Sequence, residues 1–214
     1  MPATARLFTP SEAAAVTGIG VKAVNNAIDK QIVKAAKPAP GAGSARRALT
    51  VDDLLRVKLW YKVGDILSQE RRERLFDAIR QQPKARTVKA DDLLIIDVGE
   101  ARKQIAARTR DLEAAEAMVS QDKEVMGGEP VFRGTRIPVR LIASMLTEGT
   151  DAAEILEGYP RLGERQLTLA TIWVSAHPRR GRPKSLKDRG FKLKSVRRTT
   201  LRRDPRATGT GTAG

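Results

Sequence analysis

Residues 9–30 read TPSEAAAVTGIGVKAVNNAIDK, and this stretch decides the fold of the first part of the chain. Its first residues, Thr9–Glu12, combine a capping box with a proline at the first helical position, which predicts a short helix. Gly18 and Gly20 then end that helix. A second helix is predicted over 21–30, with an apolar face formed by Val21, Val24 and Ile28. Two short helices joined by a glycine-containing turn are typical of a helix-turn-helix, although an ordinary helical hairpin shares the pattern.

A basic segment without acidic residues follows the second helix. Ile32 and Val33 begin an extended segment, KPAPGAGS forms a loop, and the chain returns at 46–49, which together predict a β-hairpin wing. A basic wing suits contact with DNA phosphates, and asparagines on the second helix suit contact with base edges. The predicted DNA-binding residues are Lys22, Asn25, Asn26, Lys30, Lys34, Lys37, Arg46 and Arg47.

Four further elements are predicted before residue 120. Thr50 and Asp53 cap a helix, and another helix covers 69–81. Residues 91–98 predict a strand and 100–119 a long helix, whose apolar side carries Ala101, Ile105, Leu112, Ala115 and Val119. This helix could pack on either flanking domain or pair with a second copy. A homodimer would suit a DNA-binding protein, because a two-fold protein matches paired half-sites.

The glycine-rich stretch at 127–139 reads GGEPVFRGTRIPV. It lacks the spaced glycines followed by Lys and Ser or Thr that form a phosphate-binding loop. Instead, VF and RI are predicted to be short β segments around Arg133–Thr135, with Gly134 at positive φ and Pro138 opening a helix at Val139. The arginines could meet acidic groups of a partner, but a structural role is favoured. The residues of this structural motif are Gly127, Gly128, Gly134, Thr135, Arg136 and Pro138.

Residues 127–176 therefore predict a hairpin followed by three short helices, a second small helix-turn-helix fold. The chain is predicted to be mainly α with small β-hairpins, and to comprise two helix-turn-helix or winged-helix-like domains and a disordered basic C-terminal tail. The predicted divisions are a DNA-binding domain at 1–90, a strand and connecting helix at 91–119, a second domain at 120–177, and the tail at 178–214.

Positive charge is concentrated at the C-terminal end. The 214 residues carry a net charge of +15, and residues 177–214 contain 13 basic residues but 2 acidic ones. Such a segment repels itself and has little to bury, so it is predicted to be either a solubilising tail or an arm that binds an acidic partner.

Composition argues against several kinds of site. The chain has no cysteine and one histidine, His177, which disfavours disulfides, thiolate or histidine-ligated metal sites and a Ser-His triad. No catalytic constellation is found, so we expect neither an enzyme nor a cofactor or metal. The N-terminus lacks a signal-peptide run, and no span approaches the ~18 apolar residues of a membrane helix, so a cytoplasmic location is expected.

Residues 7–62 resemble the winged helix-turn-helix DNA-binding domain of MerR-like regulators. The resemblance is carried by LFTPSEAAAVTGIGVKAVNNAIDKQIV and by ARRALTVDDLLRVKLW. It implies docking on duplex DNA, without an effector. Lys22, Asn25 and Asn26 replace the polar and aromatic residues usual on the reading helix of that family, which leaves the operator sequence open.

Residues 119–185 resemble the GTRIP-type C-terminal domain of VapB-like bacterial antitoxins, long catalogued as a domain of unknown function. GGEPVFRGTRIPV, GTDAAEILEGYPRL and LTLATIWVSAHPRRGRP carry the resemblance. Gly163 departs from it, because the family commonly has a threonine or serine helix cap there. The resemblance implies a partner, the PIN-domain ribonuclease toxin encoded beside such antitoxins.

A PIN nuclease holds Mg²⁺ or Mn²⁺ through several carboxylates, so its pocket would attract the arginines of the tail. An alternating apolar and basic run at 191–196 could also add a strand to a partner's sheet. The predicted toxin-binding residues are Arg179, Arg180, Arg182, Lys184, Phe191 and Leu193. The expected function is that of an antitoxin that inhibits this ribonuclease and regulates its own operon by DNA binding. The alternative is a MerR-like regulator without a toxin partner, whose tail binds nucleic acid.

Overall fold

The computed structural model describes residues 6–35, 47–91 and 94–179. Its helices are α1 (Pro10–Thr17), α2 (Val21–Asp29), α3 (Val51–Lys62), α4 (Gln69–Gln81), α5 (Val98–Ala117), α6 (Val139–Thr147), α7 (Ala152–Gly158) and α8 (Glu164–Ala176). Its strands are β1 (Thr87–Asp91), β2 (Leu94–Asp97), β3 (Val119–Ser120) and β4 (Val131–Phe132), and a 3₁₀ turn covers Met126–Gly128. The prediction of a mainly α fold with small β-hairpins is confirmed. The described residues up to Pro178 form one compact unit.

The two predicted N-terminal helices and their turn are present. The amide of Thr9 donates to Oε2 of Glu12 at 2.6 Å, and the amide of Glu12 donates to Oγ1 of Thr9 at 3.3 Å, which completes the capping box of α1. Gly18 has a φ of +73° and caps the end of α1. Phe8 and Leu49 exchange two backbone hydrogen bonds of 2.9 Å, so the start of the chain pairs with the segment that follows the wing.

α3 packs against α1, and α4 packs against β1. Thr50 and Asp53 form the predicted capping box at the start of α3, and Ser68 caps α4. Trp60 of α3 stacks on Phe76 of α4, with ring centroids 6.0 Å apart. Apolar residues of α1 to α5 and of the segments before α1 and α3 share one core, whose largest fully buried members are Phe8, Leu49, Leu54, Leu75, Ile105, Leu112, Val16, Val24 and Val57.

The strand predicted at 91–98 is wrong at both ends. β2 covers only part of that range, and it pairs antiparallel with β1, which the sequence did not predict. The carboxylate of Asp97 accepts the amide hydrogen of Glu100 at 2.9 Å, so the chain turns into a helix directly after Asp97. α5 therefore starts and ends two residues before the predicted 100–119, and Val119 lies in β3 instead of on the helix.

α5 connects the two halves of this unit. Ala101, Ile105 and Leu112 are buried in the core around α1 and α3, whereas Ala115 is buried in a second core around α6 and α8. α1 also packs directly against α8. The N-terminal and C-terminal helices are therefore joined by side-chain packing as well as by the chain.

The hairpin predicted in the GTRIP stretch is partly wrong. VF is a strand, but its partner is β3, with Val119 opposite Phe132. RI forms no strand: the carbonyl of Ile137 accepts the Phe132 amide hydrogen at 3.0 Å, and a single bridge joins Val131 to Pro138. The amide of Val139 donates to the carbonyl of Pro130 at 3.0 Å on the other side of this bridge, and α6 begins at Val139, so the pairing ends there.

Three helices follow this turn, as predicted. α6, α7 and α8 surround a core that includes Phe132, Val139, Ile142, Ile155, Leu167 and Trp173. α8 starts securely despite Gly163, because the amide of Gly163 donates to Oε1 of Gln166 at 2.8 Å. In the described ranges, every helix falls short of the length or the apolarity needed to cross a bilayer.

Candidate nucleic-acid interface

The face of α2 opposite the core carries several of the predicted DNA-binding residues. Val24 and Ala27 are fully buried and fix the helix against its neighbours. Lys22 and Asn26 are exposed, and so is Lys30, which directly follows α2. Because these three residues are spaced by four, they form one row along the helix.

Arg47 joins the base of the wing to α2. Its Nη1 lies 3.0 Å from Oδ1 of Asp29 and 3.4 Å from Oδ1 of Asn25, so an arginine predicted to contact DNA is already paired within the protein. Asn25 also donates from Nδ2 to the carbonyl of Val21 at 3.1 Å, and Val21 is exposed instead of buried. Asp29 was not among the predicted residues. Asp29 lies four residues after Asn25, on the same side of the helix, and this spacing could have indicated that both residues contact Arg47.

The remaining wing residues fall into two groups. Lys34 is exposed and follows α2 closely enough to extend its basic face. Lys37 and Arg46 lie outside the described residues, so their contact with DNA stays a prediction.

Two side chains of α3 hold α1 and α2 in place. Nζ of Lys58 donates to the carbonyl of Thr17 at 3.2 Å, and the hydroxyl of Tyr61 donates to the carbonyl of Ala23 at 2.8 Å. Burial, together with the nearby Arg108, lowers the pKa of the Lys58 ammonium. A cation at the C-terminal end of α1 also interacts favourably with the helix dipole. Sequence reasoning missed this contact because a lysine within a helix usually lies on the surface.

The GTRIP stretch is a turn held by Thr135. The amide and Oγ1 of Thr135 donate to the carbonyl of Phe132, at 2.9 and 2.8 Å, and Oγ1 accepts the amide hydrogen of Ile137 at 3.1 Å. Gly134 has a φ of +75°, which confirms its predicted conformation. Pro138 directly precedes α6, again as predicted.

Two more glycines of the predicted motif shape the backbone before this turn. Gly127 and Gly128 have φ values of +66° and +85° within the 3₁₀ turn. The carbonyl of Gly128 accepts a hydrogen bond from Nε2 of Gln121 at 2.8 Å. Positive φ favours glycine, so these two residues serve the local fold.

The two arginines of the GTRIP turn differ in their contacts. Nε of Arg133 donates to the carbonyl of Ala117 at 2.8 Å, and its Nη2 donates to the carbonyl of Val119 at 3.2 Å. Arg133 therefore satisfies carbonyls at the end of α5. Arg136 is exposed and forms no hydrogen bond or ion pair with the residues that the structure describes. The structural role assigned to Arg136 thus belongs to Arg133, and Arg136 is available to a partner.

His177 ends α8 in contact with α6. Trp173 stacks on the His177 ring with centroids 4.8 Å apart, and the guanidinium of Arg140 lies 5.1 Å from the Trp173 ring centroid. Nη2 of Arg140 also donates to the carbonyl of His177 at 2.7 Å. These contacts hold the end of α8, directly before the predicted tail.

Glu12, Glu116 and His177 form a group of three possible metal ligands in the described part of the chain. Oε1 of Glu116 is paired with Nη2 of Arg6 at 2.9 Å and lies 3.9 Å from Nε2 of His177. The Glu12 carboxylate is used by the Thr9 amide. An arginine within the group repels a cation, so the arrangement is better suited to joining α1, α5 and α8 than to holding a metal.

Of the predicted toxin-binding residues, Arg179 is described and is exposed at the end of the last described range. The others lie outside the described residues: Arg180, Arg182, Lys184, Phe191 and Leu193. Their contact with a toxin stays a prediction.

Comparison with known proteins places the chain in a family. It is 32% identical over 220 residues to the uncharacterized protein y4eO of Sinorhizobium fredii (strain NBRC 101917 / NGR234), and the match covers 95% of this chain and 97% of y4eO. The chain belongs to the y4eO family. In this y4eO-family protein, residues 119–172 match a family model described as a protein of unknown function, DUF433. That domain starts at β3 and ends within α8, so it contains the GTRIP turn.

One solved structure is a weak match to this y4eO-family protein. It is the X-ray crystal structure of Rv2018 from Mycobacterium tuberculosis, which matches over 80% of this chain and 99% of its own. The sequence identity is 13% and the TM-score is 0.33. A likeness at this level carries no argument about fold or function.

Proposed function

We propose that this y4eO-family protein is the antitoxin of a type II toxin–antitoxin pair. In this proposal α2 and the wing bind operator DNA, and the DUF433 domain and basic tail bind and inhibit a PIN-domain ribonuclease. The observation that carries the proposal is the exposed row of Lys22, Asn26 and Lys30 on a helix whose opposite face is buried.

The dimensions of α2 suit the major groove of DNA. An α-helix with its side chains is about 10–12 Å across, which fits a major groove about 12 Å wide, and the nine residues of α2 span ~14 Å along it. The Asn26 side chain can pair with an adenine edge, while Lys22 and Lys30 can meet phosphates on either side. Lys58 and Tyr61 hold the helix pair against α3, so α2 would enter the groove without a large rearrangement.

Support for the toxin half comes from the DUF433 domain and from charge. The domain carries the motifs that resemble VapB-like antitoxins. Residues 177–214 supply 13 basic side chains, and guanidinium groups pair bidentately with carboxylates such as those of a nuclease metal pocket. Arg136, exposed in the GTRIP turn, offers one further cation from the folded domain.

DNA binding is tested with the full-length protein and a duplex from the region upstream of its own gene. Lys22→Ala and Lys30→Ala should weaken binding on every sequence and reduce the salt slope by roughly one unit per lost phosphate contact. Asn26→Ala should instead change the preference among sequences. The control is Lys103→Ala, on an exposed part of α5. Wild-type binding by all three α2 variants would reject this half of the proposal.

A MerR-like regulator without a toxin partner is the second candidate, and the charge of residues 177–214 favours it because a basic tail also binds DNA phosphates. Co-expression with the product of the adjacent gene separates the two. The antitoxin should co-purify with that product. The regulator should have no stable partner there, and replacing tail arginines with glutamine should weaken its DNA binding on all sequences.

A further inference from the structure

A cleft of about 400 Å³ lies between the end of α2 and the helices α3 and α4. Lys30 and Gln31 form one side of it. Arg56, Trp60, Arg72 and Glu73 contribute to the other. Lys30 also belongs to the exposed row on α2, whereas Arg56 and Arg72 have no part in the proposed DNA contact of that row.

Two arginines in the cleft lack hydrogen-bonding partners. The Nε atoms of Arg56 and Arg72 are buried, and neither side chain forms a hydrogen bond or ion pair with any residue in the described ranges. A buried donor without an acceptor is unfavourable, because it loses its hydrogen bonds to water without replacement. An acceptor from outside the described chain would remove that cost.

Aromatic rings fix where these two guanidinium groups lie. Arg72 lies over Trp60 at 4.4 Å from the ring centroid, and Arg56 lies over Phe76 at 4.8 Å. The two rings stack on each other with an interplanar angle of 18°. These contacts fix the position of each guanidinium group, whose hydrogen-bond donors lie along its edge.

The charge of the cleft is positive. Lys30, Arg56 and Arg72 face one acidic lining residue, Glu73, and Oε1 of Glu73 accepts a hydrogen bond from Nε2 of Gln69 at 3.2 Å. The cleft therefore offers more positive than negative charge to a bound group.

The surroundings of Arg56 point the same way. Its pKa is lowered, first by burial and then by the nearby Arg80, although Asp77, Asp53 and Glu73 oppose the shift. The three carboxylates therefore only partly offset the effects of burial and of Arg80 on the Arg56 guanidinium.

We propose that this cleft is an oxyanion site, in which Arg56 and Arg72 bind a phosphate group. Two guanidinium edges and the Lys30 ammonium match the oxygens of a phosphate or phosphate monoester. The group would come either from a free phosphate compound or from a DNA backbone. Gln31, on the opposite wall, has a φ of +55°, so an anion bound here would lie against a strained turn at the end of α2.

The test uses the full-length protein and inorganic phosphate, with ionic strength held constant by sodium chloride, in isothermal titration calorimetry. Wild type should bind phosphate saturably, and Arg72→Gln or Arg56→Gln should weaken binding roughly tenfold or more. The control is Arg74→Gln, an exposed arginine of the same helix that pairs with Glu70. Because the basic tail is identical in all variants, a difference between Arg72→Gln and Arg74→Gln isolates the cleft.

A folding control keeps the result decisive. Arg72→Lys preserves the charge and allows a cation–π contact with Trp60 but lacks the planar two-pronged edge, so it should weaken phosphate binding while the melting temperature without phosphate stays close to that of wild type. Wild-type affinity in Arg72→Lys, Arg72→Gln and Arg56→Gln would overturn the proposal.

The source of the phosphate is decided by a duplex DNA arm. The source is a free phosphate compound if inorganic phosphate binds and duplex DNA does not compete with it. The source is the DNA backbone if Arg72→Gln lowers the affinity for duplex DNA on every sequence, Arg74→Gln does not, and free phosphate does not bind. Neither result would overturn the site. If wild type binds phosphate but the α2 variants bind DNA as wild type does, the DNA-binding half of the proposed function is rejected and the phosphate site is retained.

Discussion

Nη1 of Arg47 lies 3.0 Å from Oδ1 of Asp29, so an ion pair joins the segment before α3 to α2. The pair has two opposite effects on DNA binding. It orients Arg47 beside Asn25, but it also places a carboxylate next to the row that should meet phosphates. Since the side chains are both substantially exposed, their contribution to stability is small.

Replacing Asp29 with Asn should strengthen DNA binding on every sequence. The change removes a negative charge near the phosphates and frees Arg47, so the salt dependence should steepen by up to roughly one unit. The unfolding free energy should change by less than about 1 kcal/mol. Fluorescence anisotropy over a salt series measures both the affinity and the slope. Glu157→Gln, at an exposed position on α7, is the charge-matched control. Weaker binding by Asp29→Asn would mean that the ion pair orients Arg47 productively.

Gly134→Ala should destabilise the protein by about 1 kcal/mol. A new Cβ at Gly134 would meet no atom within 4 Å, so the loss should come from its φ of +75° alone. Gly158→Ala is the matched control, because that glycine also has open space but no positive φ. Thermal unfolding of the two variants separates backbone strain from crowding. Equal melting temperatures would show that the turn tolerates a side chain.

Arg133 and Arg136 should separate stability from binding within one turn. Arg133→Gln removes the donors to the carbonyls of Ala117 and Val119 and should cost roughly 1–3 kcal/mol of unfolding free energy. Arg136→Gln should leave stability unchanged and weaken the complex with an acidic partner. Denaturant unfolding and pull-down of the partner measure the two effects. Equal destabilisation by both changes would contradict the division of roles.

Lys58 should make stability depend on pH in the alkaline range. Its pKa is lower in the folded protein than in the unfolded chain, so the folded state releases this proton first as pH rises. Unfolding between the lowered pKa and the ordinary lysine value therefore takes up a proton, and stability rises with pH in that window. The difference between wild type and Lys58→Met in thermal unfolding from pH 8 to 11 isolates this effect, with Lys103→Met as the control. A stability difference between wild type and Lys58→Met that does not change with pH would contradict the lowered pKa of Lys58 in the folded protein.

Local sequence signals predicted much of the fold. The capping boxes at Thr9 and Thr50, and the glycines at 18 and 134, act over a few residues, and the structure places helices and turns where they indicate. The β1–β2 hairpin was missed because pairing depends on two segments at once, whereas the apolar run at 94–96 shows only one of them.

The candidate site was harder to predict than the fold. The composition of α2 indicated which residues face outward, but not that Arg47 pairs with Asp29. The contact of Lys58 with Thr17 spans 41 residues of chain, and the stacking of Arg56 and Arg72 on Phe76 and Trp60 depends on the packing of α3 against α4. Such contacts are set by tertiary structure, which residue spacing along the chain does not reveal.

The most direct test of the antitoxin proposal is a ribonuclease assay with the product of the adjacent gene. The rate of RNA cleavage is measured while the full-length protein is titrated in, and the same titration is repeated with Arg179, Arg180 and Arg182 changed to Glu. The account predicts that wild type stops cleavage near a fixed stoichiometric ratio and that the triple variant inhibits far less, because carboxylates would then face carboxylates. Undiminished cleavage at a large excess of wild-type protein, with operator binding intact, would contradict the account and favour a regulator without a toxin partner.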